Sequence, residues 1–443
     1  MILSRRTMLR ATAAAAAWAS WRPAASAQQA DAEAGDILRQ WYRLVLRLVR
    51  HTPTYSPPVA SRSFAYLGVA AYQAVASGST SLVSLEGQLN ALSGLPGRKA
   101  GERYNDQVII HCVMASAVKA FFGNTGPTGQ RVMAAAEKKF KAEALAGVPE
   151  DVTARSLAYG EELTAAILAW SAGDGGAVIE NMGFPLDYAL AKAPGSWVPT
   201  SAIRQQQFPL LPGWGNNRSF AMPNGASCPL PPPPAYSEDP SSAFFKEALE
   251  VYRTVKNLTP EQEKIARFWS DDPMLSPTPP GHWMAIALDI LSGENASLDK
   301  SAEVLMRLGV AVADGFIGCW NAKYQYNLLR PVTYIKKLID PKWEPVLITP
   351  PFPEYPSGHS TQSGAAAVVL TGLYGGNFAF IDRTHERDGL APRKFASFEE
   401  AAREAGISRL YGGIHFRAAI EQGLAQGRCI GQHALALRTR SST

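Results

Sequence analysis

The segment ILRQWYRLVLRLVR, Ile37 to Arg50, sets apolar residues at the three- and four-residue spacing of a helix, and that pattern recurs along most of the chain. Further helices are predicted at Ser61–Ala76, Glu102–Phe122, Gly129–Ala146 and Glu150–Ser171, the last stopped by Gly173-Asp174-Gly175-Gly176. Runs of alternating β-branched residues are nearly absent, which argues against a large sheet. From about Gly176 to Asp239 the composition turns to Pro, Gly, Asn and Ser, ending in Pro231–Pro234. So long an irregular stretch is either a linker or a functional loop, and Trp197 and Trp214 favour a loop packed on the body. Helical spacing resumes at Ser242–Thr254, Thr259–Ser270, Gly281–Ser292, Lys300–Leu329, His359–Leu373, Ser397–Gly406 and Ile414–Leu437. The expectation is an all-α protein with a helical bundle over 35–175, a packed Pro-rich loop over 176–240 and a second bundle over 241–443.

Residues 1–27 read as an export signal instead. Arg5 and Arg6 precede an Ala-rich apolar run that closes on Ala25-Ser26-Ala27, the order expected of a twin-arginine signal delivering folded cargo to the periplasm or beyond. The run is shorter than the roughly 20 residues a membrane span needs. Cleavage would remove Arg5, Arg6, Arg10 and Arg22, taking Lys+Arg from 43 to 39 against 38 Asp+Glu. A nearly neutral chain without a long basic run is not built to bind nucleic acid. Cys112, Cys228, Cys319 and Cys429 are far apart and form no CxxC pair. They are read as buried thiols, although an oxidising compartment permits a disulfide.

The chemistry is expected around Pro350–Leu370, PPFPEYPSGHSTQSGAAAVVL. Pro356-Ser357-Gly358-His359 ends an extended Pro-rich segment and opens an apolar, Pro-free run, so it reads as the entry to a buried helix. Helix N-termini present unpaired N–H groups that suit an anion. Ser357 adds a hydroxyl, Gly358 allows close backbone approach, and His359 can move protons near neutrality. A Ser cap beside a core histidine is the plainer alternative.

Two more clusters supply cations. Lys323 and Arg330 lie seven residues apart, on one face if a single helix carries both, with Pro331 placing Arg330 near its end. In Ser408–His415, Gly412-Gly413 is a natural break, so Arg409 is expected in a loop and His415 at the start of the next helix. Ordinary surface ion pairs would explain the first cluster alone, and structural roles the second.

In order, Lys-x6-Arg-Pro, Pro-Ser-Gly-His and Ser-Arg-x5-His resemble the signature shared by vanadium-dependent haloperoxidases and the phosphatidic acid phosphatase type 2 superfamily. FWSDDP with TPPGHW around Trp269–Trp283, and the stretch from His51, are similar to bacterial haloperoxidases of this group. The resemblance implies two four-helix bundles with the oxyanion in the second. It implies vanadate as cofactor, with His415 as the vanadium ligand and Lys323, Arg330, Ser357, Gly358 and Arg409 around its oxygens. His359 would be the acid/base, Lys323 would polarise bound peroxide, and Trp320 and Phe352 would flank the halide. The implied reaction oxidises a halide, iodide or bromide first, with hydrogen peroxide to hypohalous acid, and can pass the halogen to an organic acceptor. A soluble periplasmic acid phosphatase, with His415 as nucleophile, shares the same cage. Many superfamily members carry an Asp four residues after the last His. Ala419 stands there in this chain and Glu421 does not face His415, so Asp271 or Asp272 is expected to supply a carboxylate near His359 or an arginine.

Overall fold

The computed structural model describes residues 22–201 and 207–441, with side chains from residue 31 onward. The export signal expected over residues 1–27 therefore lies almost wholly outside the described residues. Thirteen α-helices, three short 3-10 turns and one two-stranded hairpin make up the regular structure described, so the chain is all-α. Helices α1 (Arg22–His51), α2 (Pro57–Ala76), α3 (Asp106–Phe121), α4 (Pro127–Leu145) and α5 (Glu150–Ala172) form the first half. After the irregular segment come α6 (Ala243–Lys256), α7 (Pro260–Phe268), α8 (Thr278–Gly293), α9 (Leu298–Tyr326), α10 (Pro331–Leu338), α11 (Gly358–Tyr374), α12 (Phe398–Tyr411) and α13 (Arg417–Leu435). Between α11 and α12 run β1 (Phe380–Asp382) and β2 (Arg393–Phe395), antiparallel.

Helices α1, α2, α3 and α5 pack together, as do α9, α11, α12 and α13, giving two four-helix groups. The groups are fused along α2 and α9, where glycines let the backbones meet. A Cβ on Gly68 would stand 2.8 Å from the Met306 Cα, and one on Gly309 would stand 2.7 Å from the Phe64 carbonyl oxygen. One buried apolar core consequently runs through both halves.

The same device sets the helix that enters the site. On α13, Gly423, Gly427 and Gly431 recur every fourth residue and form a stripe against α11. A Cβ on Gly427 would lie 2.0 Å from the Thr361 carbonyl oxygen, so α13 can seat only because no side chain is there. Gly427→Ala is expected to cost roughly 1–3 kcal/mol of stability through overpacking, read as a lowered thermal midpoint. Gly213→Ala, where an added Cβ meets nothing within 4 Å, is its control.

The irregular segment is packed, as its tryptophans suggested: Trp197 and Trp214 are buried. The Leu210 carbonyl accepts from Trp320 Nε1 at 3.1 Å and from the Tyr324 hydroxyl at 2.6 Å, and the Leu210 N–H donates to the Pro351 carbonyl at 2.8 Å. The loop thus ties α9 to the Pro-rich segment ahead of α11. One expectation about cysteine is corrected: Cys228 and Cys429 form a disulfide across 201 residues of sequence, while Cys112 and Cys319 are buried thiols.

Candidate active site

Two predicted local arrangements differ from those found. Lys323 and Arg330 do not share a helix. Asn327, in the left-handed region at φ 44°, ends α9 one turn after Lys323. Arg330 is the extended residue that precedes Pro331 at the start of α10. The residue before a proline avoids helical φ/ψ, which explains the break. Arg409 in turn lies in the last turn of α12, not in a loop, and His415 sits in the short link before α13.

These elements converge on a cleft of about 390 Å³. Gly358, His359, Arg409 and His415 line it with Trp320, Phe352, Asp271 and Asp272. Lys323, Arg330 and Ser357 are fully buried and pack against residues of that lining. Ser357 caps α11 by accepting from the Ser360 N–H at 3.3 Å, which leaves its own hydroxyl proton free to donate elsewhere. The Phe352 ring lies 4.8 Å from the Trp320 ring, 5.1 Å from Lys323 Nζ and 5.0 Å from Arg330 Cζ, so both buried cations rest on an aromatic face.

His415 is held by a residue that the sequence reading did not assign. Its Nδ1 is 2.8 Å from Glu354 Oε1, which also accepts the Phe416 N–H at 2.9 Å. With Nδ1–H donating to the carboxylate, Nε2 keeps its lone pair, which accepts from Arg330 Nη1 at 3.1 Å. Ala419 therefore leaves no gap: Glu354, five residues before His359 in the Pro-rich segment, supplies the carboxylate beside His415. The signal was present as an acid between prolines in PPFPEYP, but sequence spacing cannot show that this segment crosses behind His415.

The expected carboxylate near His359 is Asp271, with Oδ2 at 4.0 Å from His359 Nε2. Arg409 donates Nη1 to the Trp269 carbonyl at 2.7 Å and feels Asp272 most strongly among its neighbouring charges, then Asp271. Lys323 is placed differently from a free-standing anion ligand. Its ammonium donates to the carbonyls of Pro353, Glu354 and Pro356, which uses all three of its donors to shape the segment below Ser357.

Electrostatics show what this assembly lacks. Burial lowers Lys323 to about 7 and lowers Arg330 and Arg409 to about 10. Burial drives His415 well below its ordinary value, and Arg330, Lys323 and Arg409 push it the same way. Burial, then Arg409, depresses His359 likewise. Burial raises Glu354 to about 8 against the pull of Arg330, the Phe416 N–H and Lys323. Arg330 Nη2, Arg409 Nε and His359 Nε2 are buried without any hydrogen-bond partner. The orphaned N–H groups of the two arginines are costly there unless an anion meets them. A tetrahedral oxyanion with a Lewis-acidic centre answers both needs, taking the N–H groups on its oxygens and the His415 lone pair at its centre.

The comparisons agree with that chemistry. The family described as the VCPO second helical-bundle domain matches residues 303–442, which hold all the cage residues. Among solved structures, the crystal structure of the first bacterial vanadium-dependent iodoperoxidase is 38% identical with a TM-score of 0.84, over 92% of this chain and 97% of that one. A holo-type bacterial vanadium-dependent chloroperoxidase is 15% identical with a TM-score of 0.69, over 88% of this chain and 93% of that one. Its apo-type counterpart is 14% identical with a TM-score of 0.63, over 87% and 94%. These last two speak to the fold alone. No curated protein matches. With most of its length aligned to the iodoperoxidase and its cations gathered on one oxyanion cage, the chain belongs to the vanadium-dependent haloperoxidases.

Proposed function

We propose that the protein oxidises iodide, and bromide to a lesser extent, with hydrogen peroxide to the hypohalous acid, using vanadate held by His415, Arg330, Arg409, Ser357 and the Gly358 N–H. The observation that carries this is the set of partnerless buried nitrogens on Arg330, Arg409 and His359 around the His415 lone pair. When bound, vanadate supplies a Lewis acid that makes peroxide electrophilic towards a halide. The residues around it do the rest. Glu354 fixes the His415 tautomer and directs Nε2 at the metal position. Arg330 and Arg409 offset the anion's charge through planar donor forks. His359 lines the cleft, and its partnerless Nε2 can exchange a proton with an oxygen bound beside it. Lys323 adds positive charge from behind while holding the Ser357 segment in place.

The halide would approach along Trp320 and Phe352. An aromatic wall without a basic side chain strips water from a halide and returns no hydrogen bond. That favours the large, weakly hydrated and most easily oxidised iodide. The 38% identical iodoperoxidase supports the same preference. A neutral apolar acceptor would fit the outer cleft, where Pro53, Leu275 and Ile348 contribute.

Export by the twin-arginine route to the periplasm or beyond is part of this proposal. The Cys228–Cys429 disulfide supports it, because such a bond persists in an oxidising compartment. Among the described residues no helix is long and apolar enough to cross a membrane.

The test assays vanadate-loaded and metal-free protein for iodide and bromide oxidation and for p-nitrophenyl phosphate hydrolysis. Vanadate-dependent oxidation, faster with iodide, is expected. Phosphate release without halide oxidation would replace this reading with the acid phosphatase.

A further inference from the structure

Behind His359 lies a set of ionisable groups that oxyanion binding does not use. Asp271 is fully buried and accepts from two imidazoles at once: His282 Nδ1 at 2.9 Å from Oδ2, and His385 Nε2 at 3.0 Å from Oδ1. His282 Nε2 continues to Asp382 Oδ2 at 2.7 Å. His385 Nδ1 continues to Asp388 Oδ2 at 3.2 Å. Asp388 is a quarter exposed and pairs with Arg50 at 2.8 Å on the surface. At the inner end, Asp271 Oδ2 is 4.0 Å from the partnerless His359 Nε2, a gap that a small rotation or one water spans.

We propose that Asp388, His385 and Asp271 form a proton relay from the surface to His359, with His282 and Asp382 holding its central carboxylate in place. The proposal rests on the haloperoxidase reading, and the chemistry requires such a supply. Converting hydrogen peroxide and a halide ion to hypohalous acid and water consumes one proton per turnover. His359 sits on an apolar cleft whose aromatic wall favours exclusion of water.

Each step is a plain proton transfer with no electron moved. A proton reaching Asp388 passes to His385 Nδ1, giving an imidazolium, and the Nε2 proton leaves to Asp271 Oδ1. The Asp271 carboxyl then turns about its side-chain bond, with His282 Nδ1 within 3.0 Å of either oxygen, and gives that same proton to His359 Nε2. Reversal of the His385 tautomer resets the path. An imidazole flanked by two carboxylates is suited to this because both of its protonation states find a partner.

Three further observations set this chain apart from a purely structural ion cluster. Asp271 adopts φ 50°, a conformation that is strained outside glycine and persists where its surroundings demand it. His282 is clamped: its ring stacks on Trp269 at 4.4 Å, and although burial opposes its charge, Asp271 and Asp382 raise it to about 10. It is therefore a fixed cation that anchors Asp271, whereas His385 is the member leading to solvent. The other charges facing Asp271 are Arg409, from α12, and the neighbouring Asp272. Asp271, His282 and His385 also have the spacing of a metal-ligand group, but both nitrogens of each ring already serve carboxylates.

The test compares vanadate-loaded wild type, His385→Ala and Asp388→Asn in iodide oxidation, in water and in deuterium oxide, with and without added imidazole. His385→Ala is expected to lose about 10- to 100-fold in kcat with little change in KM for iodide, on the scale of a lost proton-transfer group. Its solvent isotope effect should rise, and imidazole should restore part of the rate. Asp388→Asn, at the surface and safe for folding, should lower kcat about 3- to 10-fold with the same isotope signature. Wild-type kcat and isotope effect in Asp388→Asn together with no imidazole rescue of His385→Ala overturn the relay. If His385→Ala does not fold, Asp388→Asn alone decides, an unchanged kcat and isotope effect overturning the relay. An inactive wild type would instead overturn the haloperoxidase reading, so the two failures are distinct.

Discussion

His415→Ala is expected to reduce vanadate-dependent iodide oxidation roughly 10³-fold or more, at the upper end of what single preorganised contacts contribute. The reason is specific to this imidazole. Other groups assigned to the cage offer positive charge or a hydrogen-bond donor, whereas His415 Nε2 offers a lone pair. Two features prepare it: Nδ1 is committed to Glu354, and burial, reinforced by the surrounding cations, holds the ring neutral. Alanine keeps the positive charge of the cage, so weak anion binding should survive while turnover is lost. That split is checked by measuring kcat beside vanadate affinity. A variant that keeps turnover would show that vanadium is held elsewhere.

Glu354→Ala is expected to lower vanadate affinity about 10- to 100-fold, the usual cost of removing the group that orients a ligating imidazole. It leaves the Phe416 N–H and His415 Nδ1 without their acceptor and frees the ring to take the opposite tautomer, with its lone pair turned from the cleft. Glu354→Gln separates charge from geometry. Its amide oxygen can still accept both N–H groups, so its affinity should fall between wild type and Glu354→Ala. Where Glu354 is ionised, removing it also makes the cage more positive. A simple charge account therefore predicts tighter vanadate binding in both variants, the opposite of the outcome expected here, and an equilibrium titration distinguishes the two.

Much of the fold was legible because helical spacing is a local property. Helices predicted at Gly129–Ala146 and Glu150–Ser171 occur at Pro127–Leu145 and Glu150–Ala172. Boundaries went wrong where one residue decided them. Asn327 ends α9 in a left-handed turn that no periodicity announces, and with it went the shared helix face of Lys323 and Arg330. Ser357, Gly358 and His359 were placed correctly at a helix entry because the Pro-to-apolar change marks it in the sequence.

Other features of the site depend on distant crossings. Glu354 could not be assigned to His415 from sequence because the two are 61 residues apart and meet only through packing of the Pro-rich segment against the link before α13. The proposed relay of Asp388, His385 and Asp271, with His282 on α8 and Asp382 on β1 holding it, gathers residues from separate elements, and no local motif marks that meeting. Lys323 was legible as a cation of the anion site, but not as a lysine whose donors all serve carbonyls of one loop.

Direct titration of vanadate into the metal-free protein by calorimetry, with phosphate as competitor, bears most closely on the convergence of Arg330, Arg409 and His415 on one oxyanion. The account predicts one saturable site per chain, displaced by phosphate and weakened in Arg330→Ala and His415→Ala. It also predicts a rise in thermal stability worth about 2.7 kcal/mol at a hundredfold excess over Kd. Absence of saturable binding, or binding that both substitutions leave intact, would contradict it.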